Sequence, residues 1–211
     1  MVKKRDVLWV DINIEGSNND EIKSYMNNVS SCIMSNPTLF VCFYDYWISD
    51  VNNTLTIITE KPAYGCITDL VQNSSKFSLF NSEGALALHH IKLWLLSLLR
   101  MMDVTQAHDP PILMSSLSNN SIYFSESYET IKFALFPFVI NSGLLNSYDM
   151  LRYLPMETIE NRVVNESSVM YSLGVCLYEM LTKSNLFSCN DKQTLLQLKT
   201  NEVRMISLFQ Q

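Results

Sequence analysis

A loop rich in serine and asparagine lies where the chain is best placed to carry catalytic residues. The segment ILMSSLSNNSIYF, residues 112–124, follows a long apolar run and the turn HDPP, and it leads into an apolar Ile-Tyr-Phe stretch. A loop between a helix and a strand is a frequent location for catalytic side chains. Its polar residues are Ser115, Ser116, Ser118, Asn119, Asn120 and Ser121. None of them is an acid, a base or a charged group at neutral pH, so the loop by itself supplies no general base.

A nearby histidine offers one alternative chemistry. Ser115 or Ser116 together with His108 would resemble the nucleophile and base of a hydrolase. A hydrolase of this kind also needs a carboxylate that orients the histidine and an oxyanion hole, and nothing near the loop supplies either. His89 and His90 belong to the long apolar segment, where a histidine is more often structural than catalytic. We therefore do not predict hydrolysis.

The composition indicates a globular domain and argues against one class of partner. With 211 residues, of which 47% are hydrophobic and 17% charged, the chain is long enough for one domain of two lobes with a sizeable core. Its net charge is −6, and apart from residues 3–5 its basic side chains are scattered. Because a phosphate backbone requires a basic stripe, we predict that the chain does not bind nucleic acid.

The cysteines do not form a pattern typical of a disulfide framework or a zinc site. The five are Cys32, Cys42, Cys66, Cys176 and Cys189. They are odd in number, widely spaced and without a CxxC pair, so we predict reduced thiols and no metal.

Neither the N-terminal segment nor the most apolar segment of the chain is typical of a signal peptide or a membrane span. The start, MVKKRDVLWVDINIEG, is basic and then acidic, without the continuous apolar run of a secretory signal. The most apolar helical segment is interrupted by Lys92 and Arg100. We therefore expect a cytoplasmic protein with no membrane span.

The first 60 residues are predicted to form a strand, a helix and a β-hairpin. Val7–Asn13 is rich in β-branched and aromatic residues and is followed by the turn-prone EGSNN. Apolar residues at helical spacing predict a helix over residues 20–34. The segments 38–48 and Thr54–Glu60 flank SDVNN, which predicts a hairpin.

The rest of the chain is predicted to be mainly helical. Ile67–Gln72 is expected to be a short helix, and residues 83–104 a long helix buried at the centre. Two short strands, Ile122–Phe124 and Ile131–Phe133, are expected to pair across SESYE, and a loop-rich stretch is expected over residues 141–161. Further helices are predicted over residues 167–182 and 192–200.

The order of these elements and several short motifs resemble a eukaryotic protein kinase domain. The motifs are YSLGVCLYEML at residues 171–181, FYDYW at 43–47, Thr59-Glu60, and DPPI ahead of the serine-rich loop. The first is similar to the family's central helix, DVYSFGxxxxEM. The segment DVLWVDIN, residues 6–13, is similar to the third strand of the with-no-lysine (WNK) kinases and their relatives, the nuclear-receptor-binding-protein pseudokinases. The resemblance covers about residues 6–200.

The resemblance implies where the groups that transfer phosphate would lie, and this chain lacks most of them. Val10 falls at the position of the phosphate-positioning Lys, and the helix residue that pairs with this Lys falls near Asn27. The catalytic His-Arg-Asp falls on Met114, Ser115 and Ser116, so Ser116 replaces the catalytic Asp. A serine hydroxyl titrates far above neutrality and does not replace that Asp unaided.

The metal-binding positions are also replaced. The resemblance places Ser118 at the catalytic-loop Lys and Ser121 at the metal-binding Asn. Leu135 falls on the Asp of Asp-Phe-Gly, and a leucine offers no oxygen to Mg²⁺. Val169 falls at the Asp that anchors the catalytic loop from below, and only Glu157 remains of the Ala-Pro-Glu signature.

These substitutions predict a vestigial cleft that is filled and dry. Its residues are predicted to be Trp9, Val10, Thr59, Glu60 and Leu135, and the side chains that fill it are predicted to be Trp9, Met114, Leu135 and Phe136. Apolar side chains in place of charged ones gain burial energy and need no compensating partner. We therefore predict no cofactor, although a pseudokinase that binds nucleotide without metal remains an alternative.

The resemblance implies an α+β, kinase-like bilobal fold that is incomplete at both ends. Residues 1–60 would form a partial β-rich N-lobe, residues 61–66 a hinge-like linker, and residues 67–211 a truncated helical C-lobe. The alternative is an α+β domain that is unrelated to protein kinases.

The function that follows is a pseudokinase that acts by binding a protein partner, as a scaffold, adaptor or allosteric partner in signalling. One alternative is an atypical active serine/threonine kinase that uses unorthodox residues. Another is a truncated, decaying paralogue whose uncovered apolar surfaces have no partner.

Overall fold

The computed structural model describes residues 6–72, 88–114, 117–125, 129–135, 148–187, 189 and 191–209. In chain order the elements are β1 (Val7–Asn13), α1 (Asn19–Ser35), β2 (Phe43–Ser49), β3 (Thr54–Glu60), α2 (Ile67–Gln72), α3 (Leu88–Ala107), β4 (Ile122–Phe124), β5 (Ile131–Phe133), α4 (Tyr148–Leu151), α5 (Met156–Asn161), α6 (Glu166–Thr182) and α7 (Lys192–Phe209). The chain is therefore a mixed α and β protein with small sheets and several helices, compatible with part of a kinase-like fold.

The predicted strand and hairpin form one antiparallel sheet in the order β1-β3-β2. In β1 the side chains alternate, so Leu8, Val10 and Ile12 lie on the less exposed face and their neighbours on the more exposed one. Helix α1 covers the first face, and Met26 of α1 packs in one apolar cluster with Leu55 of β3. This alternation is what a sheet with one buried face requires.

Helix α1 begins one residue before the predicted start, at a local capping signal. The side chain of Asn18 accepts a hydrogen bond from the backbone N–H of Asp20, at 2.9 Å. Asp20 and Glu21 place negative charge in the first turn, where the helix dipole favours it.

A second apolar cluster joins the end of α1 to the helices that follow. Trp94 of α3 and Phe124 of β4 are fully buried in it, with ring centroids 5.4 Å apart. The backbone N–H of Val41 donates to the carbonyl of Phe133, at 2.9 Å, which ties the segment before β2 to β5. The strands β4 and β5 pair as predicted, with Ile122 opposite Phe133.

The loop-rich interpretation of residues 141–161 is wrong in its second half. Helices α4 and α5 lie there, whereas residues 141–147 are outside the described part of the chain. Helix α5 is short and begins after Pro155, and the buried hydroxyl of Thr158 lies 2.6 Å from that of Ser168 on α6. Tertiary packing thus stabilises a segment too short to show helical periodicity.

The last two helices agree with the prediction in place and differ in extent. In α6 the side chain of Asn165 caps the backbone of Ser168, and the helix ends where Lys183 adopts a left-handed conformation, with φ 54°. Helix α7 runs to Phe209, beyond the predicted end at residue 200. The predicted long helix is observed as α3 from Leu88, and residues 83–87 of that prediction are not described.

The predicted linker, residues 61–66, contains no helix or strand, although Cys66 forms an isolated bridge with Tyr123. The division into two lobes at this linker stays a prediction. Within the described part of the chain, no helix has both the length and the apolar character needed to cross a bilayer.

Candidate functional site

The structure separates two neighbouring residues that were both predicted to line the cleft. Val10 is on the inner face of β1 and packs against the apolar cluster under α1. Trp9 is on the outer face and is 57% exposed, so the prediction that it fills the cleft is wrong. The reason is the two-residue period of a strand, which sends adjacent side chains to opposite faces.

The space beside Thr59 and Leu135, two residues of the predicted cleft, is small. A cavity between α1, β3 and the end of β5 has a volume of about 10 Å³, roughly the size of one water. It is lined by Met26, Ile33, Val41, Phe43, Ile57, Thr59, Ala134 and Leu135. Two predicted cleft residues, Thr59 and Leu135, therefore meet here, and Met26 and Ile33, rather than the exposed Asn27, are the α1 residues that line the cavity.

Leu135 is 5% exposed and belongs to the main apolar cluster. At this position the resemblance would require a carboxylate, and the leucine side chain has no oxygen to offer a cation. Met114 is likewise buried in the same cluster. Phe136 and Pro137, which complete the motif, lie outside the described residues, as do Ser115 and Ser116.

The two described serines of the loop bond to each other. The hydroxyl of Ser121 donates to the carbonyl of Ser118, at 2.8 Å, and accepts from the backbone N–H of Ser118, at 3.0 Å. The N–H of Ser121 also donates to that carbonyl, at 2.9 Å. Both side chains are buried. The hydroxyl at the metal-binding position thus closes a turn within the loop.

The group that anchors this loop was not predicted from the sequence. The amide of Asn119 donates to the carboxylate of Glu179 on α6, at 2.9 Å, and both residues are buried. The same carboxylate accepts from the hydroxyl of Tyr153, at 2.7 Å, and from the guanidinium of Arg152, at 2.5 Å. Val169, where the resemblance expects the anchor, is instead buried in the apolar cluster. The signal available in the sequence was a single acidic residue inside the apolar helix motif YSLGVCLYEML.

The buried carboxylate affects the groups around it. Burial, followed by the nearby charge of Glu179, raises the pKa of Tyr153 and keeps its hydroxyl a neutral donor. Burial and then the same charge raise the pKa of the Cys176 thiol well above its ordinary value. A thiol in this state is a poor nucleophile.

Glu60, another predicted cleft residue, is occupied by structural contacts. Its carboxylate pairs with the ammonium of Lys132 on β5, at 2.6 Å, and accepts from the backbone N–H of Cys42, at 3.1 Å. The backbone N–H of Glu60 donates to the carbonyl of Cys42, at 2.8 Å. Lys132 was not singled out from the sequence, because its partner is 72 positions away. The ion pair joins β3 to β5 beside the small cavity.

All five cysteines are free thiols. Among the residues that the structure describes, no three His, Cys, Asp or Glu side chains are grouped closely enough to hold a metal ion.

Comparisons with known proteins support the kinase-like interpretation. One relative is a probable inactive serine/threonine-protein kinase, roco10, of Dictyostelium discoideum, 26% identical over 164 residues that cover 66% of this chain and 6% of that protein. Another, a probable myosin light chain kinase of the same organism, is 30% identical over 162 residues that cover 75% of this chain and 31% of that protein. This chain is similar to kinase-like proteins.

The kinase-like similarity is limited in extent. The chain spans less than a third of the length of either relative. No family model matches it. Neither relative is described as a with-no-lysine kinase, so that narrower resemblance stays a prediction.

Proposed function

We propose that this chain is a catalytically inactive, kinase-like module that acts by binding another protein, as a scaffold, adaptor or allosteric partner. The observation that carries the proposal is Leu135, a buried apolar side chain at the position where the resemblance requires the metal-binding carboxylate. Phosphoryl transfer depends on Mg²⁺ to neutralise charge on the phosphates. A site without that carboxylate lacks one of the protein groups that would hold the Mg²⁺ ion.

The surroundings of Leu135 support the same conclusion. The cavity beside it, at about 10 Å³, is far smaller than the roughly 300 Å³ or more of a small-molecule site. Introducing charged phosphates there would displace apolar side chains and leave charge without compensation. The serine at the other metal-binding position, Ser121, already uses its hydroxyl within the loop.

Exposed apolar side chains support a binding role. Met170, Tyr178 and Leu181 lie along one side of α6 and are each at least two-fifths exposed. Exposed apolar groups that share one face of a helix are typical of surfaces that contact other proteins. A signalling role in the cytoplasm, within a WNK-like group, is part of this proposal.

The names of the relatives favour inactivity in one case and activity in the other. The protein named roco10 is described as a probable inactive kinase, whereas the second relative is described as a probable kinase. An atypical active serine/threonine kinase is therefore the second candidate. It requires that Ser116, outside the described residues, supply chemistry that an aspartate normally supplies.

One titration separates these candidates. The purified chain is heated with ATP, with MgCl₂ and with both, because a ligand that binds only the folded state raises the melting midpoint. We expect no shift in any condition. A shift with ATP alone would indicate nucleotide binding without metal, and a shift that requires both would contradict the proposed filled cleft.

Radiolabelled ATP provides the second measurement. We expect no transfer to the chain itself or to a generic substrate such as myelin basic protein. Transfer by the unmodified chain that is abolished by Ser116→Ala would establish the active alternative. A preparation that neither melts cooperatively nor stays monodisperse would favour the decaying paralogue.

A further inference from the structure

The outer face of the β1-β3-β2 sheet exposes two tryptophans. Trp9 and Trp47 have ring centroids 4.9 Å apart, at an interplanar angle of 76°, and are 57% and 40% exposed. The third tryptophan, Trp94, is buried in the core. Exposed tryptophans held rigidly on a sheet are among the side chains most often central to protein recognition.

The strand register places a carboxylate beside each indole. Ile58 of β3 is opposite Trp9 on one side and Asp45 on the other, and Thr56 is opposite Asp11 and Trp47. Across the sheet, one line of neighbours is Trp9, Ile58 and Asp45, and the next is Asp11, Thr56 and Trp47. The tryptophan is on β1 in the first line and on β2 in the second, so the two tryptophans are diagonal to each other, and so are the two aspartates. Neighbouring strands are about 4.8 Å apart and alternate residues along a strand roughly 6.6 Å apart, so each acid lies close to an indole.

Both carboxylates are held in place by the sheet. Asp11 Oδ1 accepts from Trp9 Nε1, at 3.0 Å, and from Thr56 Oγ1, at 2.7 Å. Asp45 Oδ1 accepts from the backbone N–H of Tyr46, at 2.8 Å. Groups fixed before binding lose less conformational freedom when a ligand arrives.

The net negative charge of this part of the chain favours a positively charged ligand. Residues 1–60 carry eight acidic side chains and four basic ones, Lys3, Lys4, Arg5 and Lys23, a formal net charge of −4. The whole chain has a net charge of −6, so most of the excess of acid lies in this part. Nucleic acids and anionic membranes are repelled by such a surface, and cationic segments are attracted to it.

We propose that this face binds a basic segment of a partner protein. Arginine or lysine side chains of that segment stack on the indoles of Trp9 and Trp47 and pair with the carboxylates of Asp11 and Asp45. Arginine suits both contacts, because its planar guanidinium stacks on aromatic rings and bonds to carboxylates along its edge. The inference rests on the binding role proposed above and names the chemistry of the partner.

The test uses a fluorescently labelled nonapeptide of alternating arginine and leucine and the full chain of 211 residues. Fluorescence anisotropy measures the Kd, and tryptophan emission reports contact with the indoles. We expect saturable binding that weakens as salt is added, since exposed charges are screened. Trp9→Ala should weaken binding about tenfold.

The charge contribution is isolated by Asp45→Asn, which keeps an oxygen to accept the Tyr46 N–H and removes only the charge. We expect it to weaken binding several-fold, whereas Val51→Ala, an exposed apolar residue in the β2–β3 turn, should leave the Kd unchanged. Equal melting midpoints would show that the variants remain folded.

Four outcomes overturn the inference. They are a complete lack of peptide binding, equal binding of a peptide with glutamine in place of arginine, competition by spermine as effective as that by unlabelled peptide, and a Kd that neither Trp9→Ala nor Asp45→Asn changes. None of these affects the phosphotransfer measurement, so the inference and the proposed inactivity fail independently.

Discussion

Arg152 and Glu179 form a buried ion pair at 2.5 Å that connects the end of α4 to α6. Glu179 also accepts hydrogen bonds from Asn119 and Tyr153, and Arg152 also donates to Asn185, at 2.6 Å. The pair therefore fixes the serine-rich loop and the segment before α5 onto one helix. A charge buried in this way is stable only while its partners remain.

We predict that Glu179→Gln lowers the free energy of unfolding by about 3–5 kcal/mol, because it leaves the Arg152 guanidinium buried without an opposing charge. Urea denaturation followed by circular dichroism measures the change. The control is Glu160→Gln, which removes an exposed acid from α5. Similar losses for the two variants would contradict the role assigned to the buried pair.

Lys199 is a second buried charge, and its ammonium docks α7 on the rest of the chain. It donates to the carbonyls of Arg152 and Leu154, at 2.9 and 2.8 Å, and lies 4.2 Å from the centroid of the Phe187 ring. Replacing a buried charge by an apolar group is sometimes neutral, but here it would leave two carbonyls without their donor.

We therefore predict that Lys199→Met lowers the free energy of unfolding by about 2–4 kcal/mol. Lys192→Met, at the exposed start of α7, is the control and should change it by less than about 0.5 kcal/mol. Thermal melting compares the variants. A Lys199→Met chain as stable as the unmodified chain would show that the carbonyls find other donors.

Restoring the missing carboxylate should not restore a metal site. Leu135→Asp places a charge in an apolar cluster, and we expect a loss of about 3 kcal/mol or more in the free energy of unfolding. Adding MgCl₂ should not raise the melting midpoint of this variant, since Ser121 is committed to its turn. Leu135→Met, which conserves volume, serves as the control and should cost less than about 1.5 kcal/mol. A midpoint that rises with MgCl₂ in the Asp variant alone would reveal a latent metal site.

Alkaline pH should destabilise the fold through its buried phenols and thiols. Burial is the main cause that raises the pKa of Tyr123 to about 12 from an ordinary 10.0, and it raises that of Cys176 from 9.0. These groups stay protonated in the folded chain at a pH where the unfolded chain has lost the protons. Unfolding therefore releases protons above about pH 9, and the stability falls as the pH rises.

The expected fall for each such group is at most about 1.4 kcal/mol per pH unit. Urea denaturation at pH 8, 10 and 11 measures it. Tyr123→Phe removes one titrating group and should flatten the dependence between pH 10 and 11. An identical slope in the variant would show that Tyr123 contributes nothing to it.

Local sequence patterns determined most of the secondary structure. The period-two pattern of β1, the turn before β3 and the apolar helices all appear where the residues indicate them, because each signal is contained within one element. Helices α4 and α5, of 4 and 6 residues, were missed because so short a segment carries little helical periodicity, although α2, also of 6 residues, was predicted. Helix α5 is stabilised by a tertiary contact, that of Thr158 with Ser168. The absence of acid and base from the serine-rich loop was also readable directly from the chain.

Which side chains meet depends on the tertiary fold. The sequence placed Trp9 and Val10 in one cleft, and the pleat of β1 sends them to opposite faces. The pairs Glu60–Lys132 and Asn119–Glu179 join residues 72 and 60 positions apart, a separation at which no local pattern carries information. A polar group that is removed from water needs a partner inside the fold. Burial therefore favours these contacts between distant residues, and the contacts hold the loop and the residues of the predicted cleft in place.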